Sequence, residues 1–277
     1  MTSRFLLVLL TAAVLVAGCG DSRPPRELVV GASDADVLAE LYAAALRYRG
    51  STAKVQRMPD PVAGLDTGEA DVVPGFTGRL LQRFAPRSSA MSDEDVYRAM
   101  VGALPEGITA GDYATAAQDK PAVAVAEPTA KAWGSRDMAA LLTHCSQLTT
   151  GAPAGAQPPS RIGSCKLPPP REFLNEATLF GALRNGQINA AWTSTANPDT
   201  PEDVAVLADT DPPLVRAENV VPLYRRNQLS ELEVLALNEV AGELDTGALA
   251  DMRRQVASGA DPRQVTDAWL AAHPLGR

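Results

Sequence analysis

Cysteine and histidine are scarce in this chain of 277 residues, which has three cysteines and two histidines. The cysteines and histidines do not follow the spacing of a zinc site, so we expect neither a metal nor a cofactor. The motifs Gly-x-Ser-x-Gly and His-Glu-x-x-His and the Gly-rich phosphate loop do not occur in the sequence. The sequence therefore gives no reason to expect an enzyme.

Basic residues are outnumbered, with 25 Lys and Arg against 33 Asp and Glu, and the formal net charge is -8. No basic run is present that would neutralise phosphates, so we do not expect a nucleic-acid partner. After the first twenty residues, no apolar run reaches the roughly 18 residues that a membrane span needs. About 250 residues remain for folding, which suits two lobes of roughly 100 to 150 residues each.

The first residues have the pattern of a secretory signal. Arg4 is followed by an apolar run over residues 5–16 and then by Ala17, Gly18 and Cys19. This run is too short to span a bilayer stably, so residues 1–18 are interpreted as a removed signal peptide.

Residues 16–19, Val-Ala-Gly-Cys, resemble a lipobox, which predicts lipidation of Cys19. The alternative is an ordinary signal peptide with a chance cysteine. Two or three acyl chains would anchor the protein firmly. Residues 19–27 are polar and proline-bearing and are interpreted as a tether. We therefore expect an extracytoplasmic protein that is anchored by lipid to the outer face of the cell membrane.

Cys145 and Cys165 remain for pairing and have nineteen residues between them. In an oxidising compartment we expect them to form a disulfide, with a metal-binding thiol pair as the alternative. His144 lies beside Cys145 in the sequence, but a cysteine in a disulfide cannot act as a thiolate nucleophile. A structural role is therefore expected for this pair.

The order of elements at the start of the chain predicts an α/β fold. Residues 28–31, 54–58 and 70–73 have the apolar pattern of strands, and residues 37–48 between the first two have helical spacing. A short helical turn ending at Gly68 separates the second strand from the third. Strands that alternate with helices in this way indicate a parallel sheet.

The middle of the chain predicts a second sheet that begins with a strand over residues 122–126. Further expectations are a helix over residues 137–142 capped by Ser135, and another helix over residues 173–183. Residues 151–170 contain many prolines and are interpreted as an irregular loop. Other expected strands are residues 188–193, 204–207 and 219–224. Helix caps are expected at Ser92, Ser230, Thr246 and Asp261.

Three segments carry a resemblance to one protein family. Residues 68–78, Gly-Glu-Ala-Asp-Val-Val-Pro-Gly-Phe-Thr-Gly, resemble the stretch G-E-I-D-x-Y-P-E-Y-T-G-T of osmoprotectant-binding proteins of ATP-driven importers. Residues 183–191 resemble L-x-N-G-Q-I-D-A-A of the same family, and residues 219–225 resemble N-x-V-P-V-x-R. Gly31, residues 40–42 and residues 265–270 extend the likeness in the same order along the chain.

This resemblance implies the two-lobe fold of type 2 periplasmic binding proteins, with a ligand cleft between lobes joined by two crossings. It maps lobe 1 to residues 28–118 plus 220–277 and lobe 2 to residues 119–219. The implied function is that of a solute-binding lipoprotein of an ABC importer. The implied partners are a small-molecule ligand and a membrane permease, and we expect a monomer.

The family holds quaternary amines in a cage of aromatic rings by cation–π contact. Phe76 falls on one position of the cage and keeps a ring, whereas Pro121 and Glu218 stand where the family has Tyr. Another position falls on Ser194, although a slip of two residues would bring Trp192 there. The resemblance therefore predicts a cage that is largely lost.

Ser33 stands where the family has a lysine in the first strand–helix loop. A polar lining suits a small polar solute other than betaine, held by directional hydrogen bonds. For Asp34 and Asp36 the alternative is that they cap the first helix, and the Ser/Thr run could be a surface loop. The candidate ligand-binding residues are Ser33, Asp34, Phe76, Thr77, Trp192, Thr193, Ser194, Thr195, Glu218 and Asn219.

The competing hypothesis is an envelope lipoprotein that keeps the binding-protein fold for protein interaction and takes no part in transport. A cleft with an open polar pocket would favour the receptor, and a cleft filled by side chains would favour the competitor.

Overall fold

A computed structural model describes residues 26–33 and 36–276 of the chain. The predicted signal peptide, the predicted lipidation site Cys19, most of the predicted tether and Asp34 lie outside the described residues. Within the described part, none of the helices is both long and apolar enough to cross a membrane.

Strands and helices alternate over the first half of the described chain, and helices dominate its end. The strands are β1 Leu28–Ala32, β2 Ala53–Arg57, β3 Val72–Phe76, β4 Ile108–Ala110, β5 Pro121–Ala126, β6 Thr150–Pro153, β7 Arg161–Ile162, β8 Cys165–Lys166, β9 Arg171–Phe173, β10 Ala190–Ser194, β11 Val204–Val206 and β12 Val220–Arg225. The helices are α1 Val37–Tyr48, α2 Pro61–Thr67, α3 Thr77–Phe84, α4 Asp93–Ala103, α5 Glu127–Trp133, α6 Ala140–His144, α7 Glu176–Arg184, α8 Glu231–Glu243, α9 Thr246–Ala257 and α10 Pro262–Ala272.

The first sheet has the strand order β2-β1-β3-β12-β4. Strands β2, β1 and β3 run parallel, as the strand–helix alternation predicts, while β12 pairs antiparallel with both β3 and β4. Strand β1, which lies between β2 and β3 inside the sheet, is almost entirely apolar and buried. Because β12 comes late in the sequence, the chain returns to this sheet after it has built the second one.

Helix α1 lies at the centre of the main hydrophobic cluster. Nine of its twelve residues are buried, and the cluster joins them to apolar side chains of α8, α9 and α10. Asp36 caps this helix by accepting the backbone N–H of Leu38 at 2.9 Å, the capping role considered for it above. The C-terminal helices therefore belong to lobe 1, which is built on the first sheet.

The second sheet has the order β11-β5-β10-β6-β9 and forms lobe 2 together with α5, α6 and α7. Strands β11, β5 and β10 pair antiparallel, and β10, β6 and β9 pair parallel. Strand β5 is an apolar run whose four central residues are buried. The two-lobe α/β architecture expected from the sequence is confirmed, whereas the exact lobe boundaries stay a prediction.

Two crossings join the lobes and run side by side, the first at Gln118 and Asp119 and the second at Glu218 and Asn219. Gln118 and Asn219 form an isolated antiparallel bridge, and the backbone N–H of Asp119 donates to the carbonyl oxygen of Glu218 at 2.9 Å. The side chains of Asp119 and Glu218 are consequently brought to the same place at the floor of the cleft.

Several local predictions for the middle of the chain are wrong. The helix expected over residues 137–142 begins only at Ala140, because the hydroxyl of Ser135 and the carboxylate of Asp137 accept backbone N–H groups two residues ahead and form turns. Phe173 ends strand β9, and the second helix begins after Asn175. The supposed irregular loop over residues 151–170 contains most of β6, which is covered on both edges.

Helix α9 is capped by Asp245 and not by Thr246. The side chain of Asp245 accepts the backbone N–H of Ala248 at 2.7 Å. The hydroxyl of Thr246 is used elsewhere, since it accepts the backbone N–H of Gln118 and donates to the carbonyl of Ala116. The expected caps Ser92, Ser230 and Asp261 are confirmed.

The predicted disulfide between Cys145 and Cys165 is present, with Cα atoms 5.6 Å apart. Cys165 is buried in the same cluster as Leu141 and Ile162. Trp133 stacks on His144 beside it, at a ring distance of 4.6 Å. The bond therefore fastens the β7–β8 hairpin to helix α6.

We expect the double substitution Cys145→Ser with Cys165→Ala to lower the free energy of unfolding by about 3 kcal/mol, because the 20-residue separation is no longer closed by a covalent bond. Calorimetric unfolding of wild-type and variant chains measures this difference. Ser164→Ala, next to the bond, serves as the control. Equal stabilities of the double variant and the wild type would contradict the prediction.

Candidate functional site

A cavity of about 540 Å³ lies in the cleft between the two lobes. Lobe 1 contributes to it from α3 and α9, the two crossings form its floor, and lobe 2 contributes from β10, α7 and the segment after β6. The lining residues are Arg79, Asp119, Pro121, Pro153, Ala156, Gln157, Pro158, Glu176, Trp192, Thr193, Ser194, Ala196, Asn197, Pro198, Glu218 and Arg253. A cavity of this size and position suits a small ligand.

The carboxylate of Glu218 caps the N-terminus of α3 from outside the helix. Phe76 stands at the N-cap and has no side-chain oxygen, and Oε2 of Glu218 accepts the backbone N–H of Arg79 at 2.9 Å instead. A Cβ on Gly78 would lie 2.5 Å from the carbonyl oxygen of Ala217. The missing side chain of Gly78 therefore lets the helix start approach the crossing.

Burial has the largest effect on the pKa of Glu218. The residue is 8% exposed, and the loss of water raises the pKa of Glu218 to about 7, although the backbone and guanidinium groups of Arg79 lower it in part. Near neutral pH the carboxyl group is therefore close to its midpoint between the neutral and the charged form.

The buried carboxylate of Asp119 pairs with two arginines of lobe 1. Its Oδ2 lies 3.4 Å from Nη2 of Arg79 and 3.1 Å from Nη1 of Arg253. Burial by itself raises the pKa of Asp119, but the two guanidinium groups and the hydroxyl of Ser194 outweigh it and hold the pKa below the usual value. Asp119 is therefore ionised and partly neutralises the arginines.

The ring of Phe76 is covered by these same arginines. Cζ of Arg79 lies 4.6 Å from the ring centroid and Cζ of Arg253 lies 5.8 Å from it. Phe76 lines a neighbouring cavity of about 560 Å³ that also includes Ser33 and Asp36. The structure thus separates Ser33 and Phe76 from the other candidates, although Arg79 borders both cavities.

Four predicted site residues line the cleft cavity together. Trp192, Thr193 and Ser194 come from strand β10, and Glu218 comes from the second crossing. Ser194 pairs in register with Pro121 on strand β5. Pro121, Ser194 and Glu218, which the resemblance aligns with aromatic positions of the family, therefore surround one cavity. The Ser/Thr run begins in a strand of the second sheet and is not a surface loop.

Three other candidates support the backbone and do not line the cavity. Thr77 is fully buried, and its hydroxyl accepts the backbone N–H of Asn219 at 3.0 Å. The side-chain amide of Asn219 donates to the carbonyl of Ala114. Thr195 joins β10 to the first crossing by accepting the N–H of Lys120 and donating to the carbonyl of Gln118.

The sequence did not single out four charged residues of the cavity. Arg79 lies one helical turn beyond Phe76, and Asp119 lies two residues before Pro121, so extending the matched segments would have found both. Glu176 at the start of α7 and Arg253 in α9 carry no local signal. Only the packing of the lobes brings these two residues to the cleft.

Residues 171–272 match the family model described as the substrate binding domain of an ABC-type glycine betaine transport system. Solved structures resemble almost the whole chain. A structure described as a glycine betaine/carnitine/choline ABC transporter has a TM-score of 0.74 at 15% identity, covering 89% of this chain and 98% of its own. The chain has the fold of a two-lobe solute-binding protein.

Two further solved structures have the same fold. Apo YehZ from Escherichia coli has a TM-score of 0.71 at 17% identity, covering 90% of this chain and 99% of its own. Lactococcal OpuAC, in a closed complex with glycine betaine, has a TM-score of 0.53 at 13% identity, covering 90% of this chain and 96% of its own. No curated protein sequence matches the chain significantly.

The resemblance inferred from the sequence motifs is thereby confirmed, by the family model over residues 171–272 and by the shared fold over most of the chain. The matched family model describes a substrate binding domain and the OpuAC structure is complexed with glycine betaine, in agreement with the expectation that the chain is not an enzyme.

The raised pKa of Glu218 predicts a specific pH dependence of stability. Because the folded protein holds the proton up to about pH 7 and the unfolded chain releases it near 4.5, stability should fall as the pH rises between these values. Glu218→Gln, which mimics the neutral form, should remove this slope. We expect the stability of the variant relative to the wild type to rise by about 3 kcal/mol from pH 4 to pH 8.

Urea unfolding of both proteins across this pH range measures the difference, and Glu202→Gln on an exposed turn of lobe 2 is the control. A difference between wild type and Glu218→Gln that does not change with pH would show that Glu218 titrates normally.

Proposed function

We propose that the protein is the solute-binding lipoprotein of an ABC importer, of the osmoprotectant-receptor type but with a largely lost aromatic cage. It captures a small polar solute in the cleft and presents it to a membrane permease. The family match over residues 171–272 and the two-lobe fold support the receptor class. Closure of two lobes around a ligand is the change that a permease can recognise.

The residues that line the cleft support the proposal that the ligand is not a quaternary amine. Among the described residues that line the cavity, Trp192 is the one aromatic side chain. Phe76 borders the neighbouring cavity, and the guanidinium groups of Arg79 and Arg253 already lie over its ring. Each ring of a cage contributes roughly 0.5 to 2 kcal/mol, so the loss of two or three rings weakens binding of a quaternary amine by about ten- to ten-thousand-fold.

The open cavity also favours a receptor over the competing hypothesis of an interaction lipoprotein. Its volume of about 540 Å³ lies within the range of small-molecule sites, roughly 300 to 1,000 Å³. Its walls carry hydroxyl, amide, carboxylate and guanidinium groups, which recognise polar ligands through directional hydrogen bonds.

The proposed location is the outer face of the cell membrane, with lipid on Cys19. The described chain begins close to lobe 1, where Arg26 forms an ion pair with the buried Asp71 at 2.5 Å and Glu27 pairs with Lys54 at 2.6 Å. Six residues lie between Cys19 and Arg26. A short tether of this kind would keep the cleft at high effective concentration beside its permease.

A thermal-shift screen of the full chain in mild detergent tests the receptor function. We expect glycine betaine and choline to shift the melting temperature by less than about 1 °C, and at least one polar solute to raise it by about 5 to 10 °C at 100 times its dissociation constant. Ser194→Trp, which fills the cleft, should abolish this shift, whereas Ala132→Trp at an exposed position of helix α5 should keep it.

Micromolar binding of glycine betaine in this screen would contradict the lost cage. Absence of any shift across betaines, choline, amino acids, polyamines and sugars would favour the interaction lipoprotein over the receptor.

Lipidation is tested separately by metabolic labelling of producing cells with an alkyne-bearing fatty acid. We expect the label on the wild-type chain and its complete loss in Cys19→Ala, because the thiol is the acceptor of the lipid. Cys145→Ser with Cys165→Ala should keep the label. A wild-type chain that is secreted without label would indicate an ordinary signal peptide.

A further inference from the structure

The ring of Phe76, which could attract a cationic ligand, is already covered by the guanidinium groups of two arginines of the protein. The guanidinium carbon of Arg79 lies 4.6 Å from the centroid of the Phe76 ring, which is within cation–π range, and Arg253 lies at 5.8 Å. A quaternary ammonium placed here would have to displace a guanidinium group that Asp119 also holds. The lobe 1 wall of the cleft therefore presents positive charge.

Donors of both guanidinium groups remain available. Nη2 of Arg79 donates a hydrogen bond to Asp119. Nη1 of Arg253 forms an ion pair with Asp119 and donates a hydrogen bond to the carbonyl oxygen of Ala196. Within residues 26–33 and 36–276, the other guanidinium nitrogens of these two arginines form no hydrogen bond to the protein. Two guanidinium groups facing one ionised aspartate suit a carboxylate-like group, which accepts such donors in pairs.

Glu176 supplies the opposite charge from lobe 2. It is the first residue of α7 and lines the same cavity as the arginines. Its Oε2 is buried and has no hydrogen-bond partner among the described residues. Burial raises the pKa of Glu176, and Asn197 beside it lowers the pKa only in part. A buried carboxylate oxygen without a donor is costly, and a donor from the ligand would remove that cost.

The two walls together restrict the charge pattern of the ligand. Arg79 and Arg253 disfavour a polyamine on the lobe 1 wall, where Asp119 neutralises them only in part, and Glu176 disfavours a dianion on the lobe 2 wall. A quaternary ammonium has no N–H and leaves Oε2 of Glu176 unsatisfied. A zwitterion with a protonated amine satisfies both walls and connects lobe 1 to lobe 2.

We infer that the cleft binds a zwitterionic solute whose amine keeps at least one N–H, with its anionic group on Arg79 and Arg253 and its amine on Glu176. This inference rests on the proposed receptor function and specifies its class of ligand. The recognition it describes is that of an amino acid, not of its trimethylated betaine. Trp192 adds an apolar surface to the lobe 2 wall of the cavity.

Matched pairs of ligands test the inference on the full chain in mild detergent. The pairs are glycine and glycine betaine, β-alanine and its trimethyl derivative, and γ-aminobutyrate and its trimethyl derivative, with affinities measured by titration calorimetry. Within at least one pair we expect the amine to bind about 10- to 150-fold more tightly, which corresponds to one hydrogen bond to a charged group.

Glu176→Gln should weaken binding of the amine and remove most of this preference, because the charge that favours an ammonium is lost. The control Glu202→Gln, exposed on the same lobe, should leave both affinities unchanged. Arg79→Gln should weaken the amine and its trimethyl derivative alike, since both carry the carboxylate, and exposed Arg98→Gln is its control. Melting curves of each variant establish that it is folded.

Tighter binding of the trimethyl member in every pair, or an unchanged preference in Glu176→Gln, would overturn the inference and leave the receptor function standing. Binding of dicarboxylates without binding of any amine would also overturn it. If none of these zwitterions binds while another solute gives a thermal shift, the ligand class is wrong and the receptor is right. If no solute of any class binds, both proposals fail.

Discussion

The buried carboxylate of Asp119 holds the guanidinium groups of Arg79 and Arg253 together at the floor of the cleft. Two like charges would otherwise repel each other there. Arg253 also bonds the carbonyl of Ala196 in lobe 2, so the same cluster connects the C-terminal helices to the second sheet. The placement of both arginines in the cleft, and hence its charge, depends on this aspartate.

The two crossings explain why a second carboxylate lies nearby. Because they run antiparallel and share backbone hydrogen bonds, Glu218 is fixed beside Asp119. The arginine side chains pair with Asp119, whereas the carboxyl group of Glu218 caps helix α3 by accepting the backbone N–H of Arg79. Asp119 thus holds two arginine side chains in place, Glu218 holds the backbone at the start of α3, and both residues border the same cavity.

Much of the fold could be predicted from local sequence. Helices with a clear cap, such as those after Ser92, Ser230 and Asp261, were placed correctly because the capping oxygen and the N–H groups it accepts are only a few residues apart. The helix expected from Asp137 begins only at Ala140, partly because Ser135 and Asp137 form local turns. Asp137 also forms a bridge with Ala208, a contact that no local pattern reveals. In the same way, residues 150–153 become a strand only because β10 and β9 flank them.

The sequence by itself determined the α/β class, the disulfide and the family resemblance, since these depend on periodicity, composition and short motifs. It also located Pro121, Ser194 and Glu218, which border one cavity. Only the tertiary structure decided that Phe76 faces Arg79 and Arg253. It also decided that Glu176 lines the cleft cavity with an Oε2 that has no hydrogen-bond partner among the described residues. Side chains that are far apart in the chain acquire their charge environment only when the lobes pack, because burial and proximity, and not residue type, set it.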